Sequence, residues 1–435
     1  MRASDTYSCE YGSPERPAVR SRNQILKAVI LAAGKGIRLW PLTATRSKHM
    51  IPVAGRPVIE HVVSAVKSSG IRKLVLVTGH REELIRDHMG DGEKWGIKIQ
   101  YVHQSDISGT GSAVSLTREH VGNDDFLTVY GDVAVSPAAI RRVLSTYRKM
   151  NHKPTVGLVP VSRPESYGMA RTSGKLLTEI VEKPQPSASP SDLANTGIYV
   201  LKPSIFDYLE ATARSERGEL ELTDAVSALA RAGKDVAWAR IRASEWQDIG
   251  RPWDVLSANA NMLACTKRFV RGKIEKGVTM TGAVTIGKGA TVRTGTVIEG
   301  PAWIGEHSIL GPLAHIRPAT SIGKEAVIGN FCEIKNSIIM DRTHIHHLSY
   351  VGDSIIGEGC NLGAGTIVAN VKLSDRTVRM KIRGNLEDTG LRKLGVFLGD
   401  NVKTGINSAI MPGVRIASGA TVPAGSVVSD DIMSV

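Results

Sequence analysis

No apolar run in this 435-residue sequence approaches the roughly 18 consecutive residues that a membrane-spanning helix needs. No membrane is therefore expected among its partners. The first residues, MRASDTYSCEYGSPERPAVRSRNQ, lack the apolar centre of a secretory signal. Residues 1–24 read as a disordered extension, or as a start codon placed too early. Cysteine is scarce: Cys9, Cys265, Cys332 and Cys360 form no CxxC pair. A metal framework or disulfide scaffold is not implied, and reduced thiols in a cytoplasm are expected. Dense Lys/Arg runs with interleaved aromatics are missing too, which argues against a nucleic-acid partner. The basic excess is still large, 55 − 42 = +13. Such a charge suits small anionic substrates, and equally a generally basic surface.

The chain divides by period. Over residues 25–262, KAVILAA, KLVLVTG, IKIQYVH, DFLTVYGD and PTVGLVPV read as strands, with VIEHVVSAVKSSG and REELIRDHMGD as helices between them. That alternation predicts an α/β, Rossmann-like domain with a mostly parallel sheet. Over residues 263–435, aliphatic residues recur every six positions from Ile274 to Met340. The phase breaks near the histidines and resumes at Ile356, Leu362 and Val368. A third run, from Leu398 to Val428, follows an interruption. A period of six holds no single face of an α-helix and predicts a parallel β-helix of hexapeptide repeats.

In LAAGKGIRLWPLTATRSKHMIPVAGRPVIE, Leu31 to Glu60, a strand runs into Gly34-Lys35-Gly36. Glycines there let backbone N–H groups approach phosphates. Gly-x-Gly alone is better explained by an ordinary strand-to-helix turn. It is neither a Walker loop nor a dinucleotide fingerprint, because no Ser or Thr follows the lysine and Leu39 stands where a third Gly belongs. The whole string resembles the sugar-1-phosphate nucleotidylyltransferase family, with Ile37 for the usual Thr and Ser47 for the usual Pro. The resemblance implies that Arg38 and Lys48 are catalytic cations. It implies nucleotide contacts from Leu31, Ala33, Gly34, Gly36, Gln104, Gly109 and Gly111, with Gln104 reading the pyrimidine of UTP or dTTP. It implies sugar and phosphate contacts from Gly168, Glu182, Lys183, Asn195 and Thr196. Asp132 and Asp248 would hold Mg²⁺. Nucleotidyl transfer builds negative charge around the α-phosphate, so hard carboxylates holding a cation fit the chemistry.

In the second half, HIRPA, EIKN, HHLSYVGD, NLGAGT and VAN resemble the acetyltransferase domain of the bifunctional glucosamine-1-phosphate acetyltransferase/uridylyltransferases. VKLSDRTVRMKIRG and the segment after it look like the archaeal members. The resemblance implies acetyl-CoA as co-substrate, a left-handed coil, and a homotrimer with the acyl-transfer site between subunits. His347 corresponds to the general base, with His346 in place of a usual Gly. Arg317 and Lys335 correspond to phosphate-binding cations, and Tyr350, Asn361 and Asn370 to sugar contacts. Two other readings stay open from sequence alone. One is a single-activity glucose-1-phosphate or mannose-1-phosphate nucleotidylyltransferase with a structural β-helix. The other is a non-catalytic regulatory subunit.

Overall fold

The structure, a computed structural model, describes residues 27–434. The expected extension at residues 1–24 lies outside the described residues. Two compact units form. One takes residues 27–35 and 58–248; the other takes 36–57 and 249 onward.

The first unit is built on a nine-stranded sheet. All five strands read from the sequence are present. Four of them, Lys98–His103, Lys73–Thr78, Lys27–Ala32 and Phe126–Tyr130, lie side by side in that order and parallel. Lys27–Ala32 and Lys73–Thr78 have Val, Ile and Leu at their centres because both faces are covered, whereas the edge strand Lys98–His103 alternates buried and exposed residues. The helix Val58–Ser68 supplies one cover, burying Val58, Ile59, Val62, Val63, Ala65 and Val66. The helix Pro137–Lys149 begins on Ser136, whose hydroxyl accepts the Ala139 N–H, with proline in the first turn. Beyond the parallel strands, Leu193–Leu201 runs antiparallel to Phe126–Tyr130. Gly168–Ser173 and Leu176–Glu182 form an antiparallel hairpin at the far edge.

In the second unit the six-residue period becomes three parallel eight-stranded sheets, the coil of a left-handed β-helix. Each strand has two to four residues, and most turn an aliphatic side chain inward; Lys403–Thr404 turns in a threonine instead. Every such aliphatic side chain contributes about 1.5–3 kcal/mol by leaving water. Val292 stacks on Leu310, a step of 18 residues, or three hexapeptides. The sequence expectation places the phase break at the histidines and keeps Met340 in register; the structure corrects both. Ile322 stacks on Ile339 and Ile334 on Val351, steps of 17. One residue is missing at the corner near Asn336, and another at the corner near Asp353, so Ile339 fills the interior in place of Met340. The histidine segment itself keeps the period, with Ile339, Ile345 and Val351 inside. The later interruption is real: Ile356 stacks on Leu398, 42 residues on, and the extra chain includes the hairpin Arg379–Ile382 with Asn385–Asp388. Cys332 and Cys360 are free thiols buried in this core. Burial pushes the Cys360 thiol up to about 12, which leaves it unreactive.

Candidate active sites

In the α/β unit the parallel strands end together, where such sheets present ligands. Ala33 follows the strand Lys27–Ala32, and its carbonyl accepts the His80 N–H at 3.2 Å. A Cβ on Gly79 would stand 3.0 Å from Ala33 and 3.1 Å from the Gln104 carbonyl, so the three chain segments meet there. Gln104 is buried. Its amide nitrogen donates to the Gly109 carbonyl at 3.2 Å and to the Ser112 hydroxyl at 2.6 Å. Gly109 and Gly111 have a reason to be glycine without any ligand: a Cβ on either would meet the Leu220 carbonyl oxygen at 2.3 or 2.8 Å.

Asp132 follows the strand Phe126–Tyr130, and Asp248 ends the strand Trp246–Asp248. A short antiparallel ladder sets Asp248 opposite Val133, the neighbour of Asp132. Two carboxylates 116 positions apart in sequence (248 − 132) are thereby brought within one residue of register. Among the described residues no group of three or more His, Cys, Asp or Glu is arranged to hold a metal. Two hard oxygen donors nonetheless suit Mg²⁺, which keeps most of its shell for water and phosphate.

Glu182 ends the strand Leu176–Glu182 and accepts the Thr223 hydroxyl at 2.9 Å. A Cβ on Gly168 would stand 2.9 Å from its Oε1, so these two candidate residues lie side by side. Thr196 is 1% exposed and spends its hydroxyl on the Gly157 carbonyl, and Asn195 accepts the Gly197 N–H. These bonds hold the bulge in the strand Leu193–Leu201 where Asn195 and Thr196 lie. Sequence reasoning missed two residues here. Arg217 pairs with Glu221 at 2.6 Å and approaches Glu182 at 3.8 Å. Burial, then the charge of Glu182, pushes the Glu221 carboxyl up to about 7 despite Arg217. Neither residue stands in the signature string; the only signal is the acidic segment GELELTD.

The loop carrying Arg38 and Lys48 belongs to the second unit. Gly36 has φ +65°, and a Cβ on it would lie 2.8 Å from the Lys48 Cβ. The lysine stem thus passes directly over the glycine, and Thr43 ties the turn by donating to the Gly36 carbonyl. Ser47, where proline is usual, is buried, and its hydroxyl is 2.9 Å from His49 Nδ1.

On the solenoid the candidate residues fall on neighbouring coils. Arg317 pairs with Glu333 at 2.8 Å, and Glu333 is in register with Tyr350. Lys335 Nζ donates to Asp353 at 3.2 Å, Asn336 at 2.7 Å, and Asn370 donates both to Asp353 and to the Tyr350 hydroxyl. Lys335, Tyr350 and Asn370 are thus drawn together by Asp353, a buried residue that sequence reasoning did not single out. Asp353 sits at one of the shortened corners, Asn336 at the other. The two shortened corners flank the histidine strand His344–His347, so the break in the repeat lies on either side of the histidines and not at them. His344, His346 and His347 point outward around the inward Ile345, with ring centroids 5.3 and 5.8 Å apart. Burial, then the two neighbouring imidazoles, lowers the pKa of His346. Asn361 is in register with His344, and His347 with Asn330. Leu348 and Ser349 turn the corner between His347 and Tyr350.

The sequence model of the nucleotidyl transferase family matches residues 27–264. A protein of Methanocaldococcus jannaschii named bifunctional protein GlmU is 41% identical over 94% of this chain and 96% of its own. A bifunctional sugar-1-phosphate nucleotidylyltransferase/acetyltransferase of Sulfurisphaera tokodaii is 38% identical over 94% of this chain and 98% of its own. The chain belongs to the bifunctional nucleotidylyltransferase/acetyltransferase family. Two further models match the family's second half: the GMPPB C-terminal domain over residues 298–389, and the hexapeptide repeat of succinyl-transferase over 395–430. For the family's α/β half, a putative glucose-1-phosphate thymidylyltransferase from Bacillus anthracis is similar in structure. Its TM-score is 0.51 at 31% identity, covering 56% of this chain and 97% of that one.

Proposed function

We propose that the chain acetylates an amino-sugar 1-phosphate, glucosamine 1-phosphate first, from acetyl-CoA, and then joins the N-acetyl product to the uridylyl group of UTP with release of pyrophosphate. The first reaction is assigned to residues 263–435 and the second to residues 25–262.

The observation that carries the bifunctional reading is the gathering of Lys335, Tyr350 and Asn370 around buried Asp353. A solenoid that only shapes an oligomer has no use for a lysine and two amides organised on one carboxylate. In the acetyl transfer, Arg317 and Lys335 bind the sugar phosphate, and Tyr350, Asn361 and Asn370 orient the sugar. An ammonium group cannot attack a thioester, so His347 takes the proton from the amino group. His346, whose pKa is lowered by burial and by its neighbouring imidazoles, is the alternative base.

In nucleotidyl transfer the sugar phosphate is itself an ionised nucleophile and needs no protein base. Arg38 and Lys48 stabilise the charge that grows on the leaving pyrophosphate. Leu31, Ala33, Gly34 and Gly36 bound the triphosphate, and Gln104 offers its carbonyl oxygen to the N3–H of uracil or thymine, its nitrogen being engaged already. Glu182 and Lys183 hold the sugar and its phosphate, with Gly168, Asn195 and Thr196 shaping the wall. Asp132 and Asp248 are the carboxylates suited to Mg²⁺, which supplies charge neutralisation on the phosphates.

A homotrimer in the cytoplasm completes the reading. At one corner of three successive coils, Leu313, Phe331 and Leu348 form a ridge of exposed large apolar side chains (48–61% exposed) directly beside His347. A ridge of this kind favours a second copy as its cover. The test is to incubate pure protein with sugar phosphates and NTPs, with and without acetyl-CoA, and to identify products by mass. If no amino-sugar phosphate elicits thiol release, the single-activity reading takes its place.

A further inference from the structure

The loop 36–57 has little regular structure of its own: two three-residue turns and a two-residue hairpin. Its shape is held instead by the solenoid. Arg46 and Thr45 both donate to Asp400 Oδ2, the hydroxyl at 2.6 Å, while Asp400 Oδ1 accepts the Glu358 N–H at 2.8 Å. The Arg46 guanidinium also reaches Glu358 at 3.2 Å and the Met340 sulfur at 3.2 Å. The Arg46 and Asp400 side chains are only 12% and 11% exposed. Glu358 is itself paired with Arg342. On the same side, Arg415 lies 5.3 Å from the Trp40 ring and is fixed by Asp431. At the loop's other end, Ala54 donates to Asn259, which also bonds Ser321 and the Ala319 carbonyl. A Cβ on Gly55 would strike the Trp303 indole.

Lys48 stands two residues from Arg46, and Arg38 two residues from Trp40. We infer that Asp400, on the solenoid, is a positioning residue for nucleotidyl transfer: through Arg46 and Thr45 it sets the loop that presents Arg38 and Lys48. The solenoid therefore has a second task, independent of acetyl transfer. Surface ion pairs contribute little, but this one is shielded and shares its acceptor with a second donor. A carboxylate held on both oxygens defines one position for the backbone it grips. Displacing catalytic cations by about 1 Å costs on the order of 10²-fold in rate. The inference rests on the catalytic reading of Arg38 and Lys48.

The test uses the full chain with Asp400→Asn, Arg46→Met, Arg46→Lys and Thr45→Val. Pyrophosphate release from UTP and N-acetylglucosamine 1-phosphate, thiol release from acetyl-CoA, and melting temperature are measured for each. Asp400→Asn keeps an acceptor for the Glu358 N–H, and Thr45→Val keeps shape, so both preserve the fold. Expected are a roughly 10–100-fold fall in kcat for pyrophosphate release in Asp400→Asn and Arg46→Met. Partial recovery is expected in Arg46→Lys, a smaller fall in Thr45→Val, and thiol release within twofold of wild type throughout. Unchanged pyrophosphate release in Asp400→Asn and Arg46→Met overturns the inference. A parallel loss of both activities with a lowered melting temperature also overturns it, since that is what a purely structural contact does. Lys48→Met is run beside them. If it stays active, the catalytic reading of the loop fails; if it is dead while Asp400→Asn is normal, only the positioning role fails.

Discussion

In the α/β unit, Glu182 and Glu221 share one guanidinium, that of Arg217, with hydroxyls from Thr223 and Thr110 beside them. In the solenoid, Asp353 is met by nitrogen donors from Lys335, Asn336 and Asn370. Both clusters bury carboxylates. In the first, burial and mutual repulsion outweigh the single cation, and Glu221 is pushed up to about 7. In the second, each acceptor oxygen is supplied. The difference separates two uses of a buried acid. Asp353 fixes the donors around it, whereas Glu221 is poised to change its protonation near neutral pH.

The largest effect expected across the two halves is the loss of nucleotidyl transfer in Asp132→Asn. Removing half of a carboxylate pair suited to Mg²⁺ forfeits several kcal/mol, roughly 10³-fold or more. Thiol release should be untouched, and near-normal pyrophosphate release would remove Asp132 from the metal assignment. Next, His347→Ala should slow acetyl transfer by roughly 10²–10⁴-fold, the usual contribution of a general base. His346→Ala should do much less; a dead His346 variant would move the base by one position.

Asp353→Asn sharpens the comparison directly. Lys335 loses its anion and Asn370 its acceptor, so KM for glucosamine 1-phosphate should rise about 10-fold, the scale of one lost charge-assisted hydrogen bond. Uridylyl transfer should not change. An unchanged KM would mean that Asp353 only packs the corner.

The smallest effect concerns pH. The Glu221 carboxyl has its pKa raised in the fold, so the stability it contributes is fully present below its ordinary value of 4.5. That contribution is lost as pH rises through about 7. Glu182 and Glu219 work in this direction and Arg217 against it. Glu221→Gln should therefore gain melting temperature relative to wild type between pH 5 and pH 8. A difference that stays flat over that range would show that Arg217 neutralises Glu221 in full.

What could be read from the sequence followed from how each feature is written in the chain. The string Leu31–Glu60 is contiguous, and the strands around it have apolar centres, so domain and motif were visible. The six-residue period is likewise local and repeated. The two shortened corners were not visible, because Met340 is as apolar as Ile339 and hides a slip of one. The antiparallel hairpin Gly168–Ser173 with Leu176–Glu182 mixes polar and apolar residues on an edge, where alternation is weak. Contacts such as Arg46 with Asp400, 354 residues apart, leave no pattern in either segment.

The central claim is that one chain carries two separable transferases. The most direct measurement follows both products by mass in a single mixture of glucosamine 1-phosphate, acetyl-CoA and UTP, with wild type, Asp132→Asn and His347→Ala in parallel. Wild type should yield the UDP-N-acetyl sugar. Asp132→Asn should stop at N-acetyl sugar 1-phosphate. His347→Ala should leave the amino-sugar phosphate nearly untouched, yet convert added N-acetylglucosamine 1-phosphate at the wild-type rate. Wild-type protein that forms a nucleotide sugar but never an N-acetyl group would contradict the account.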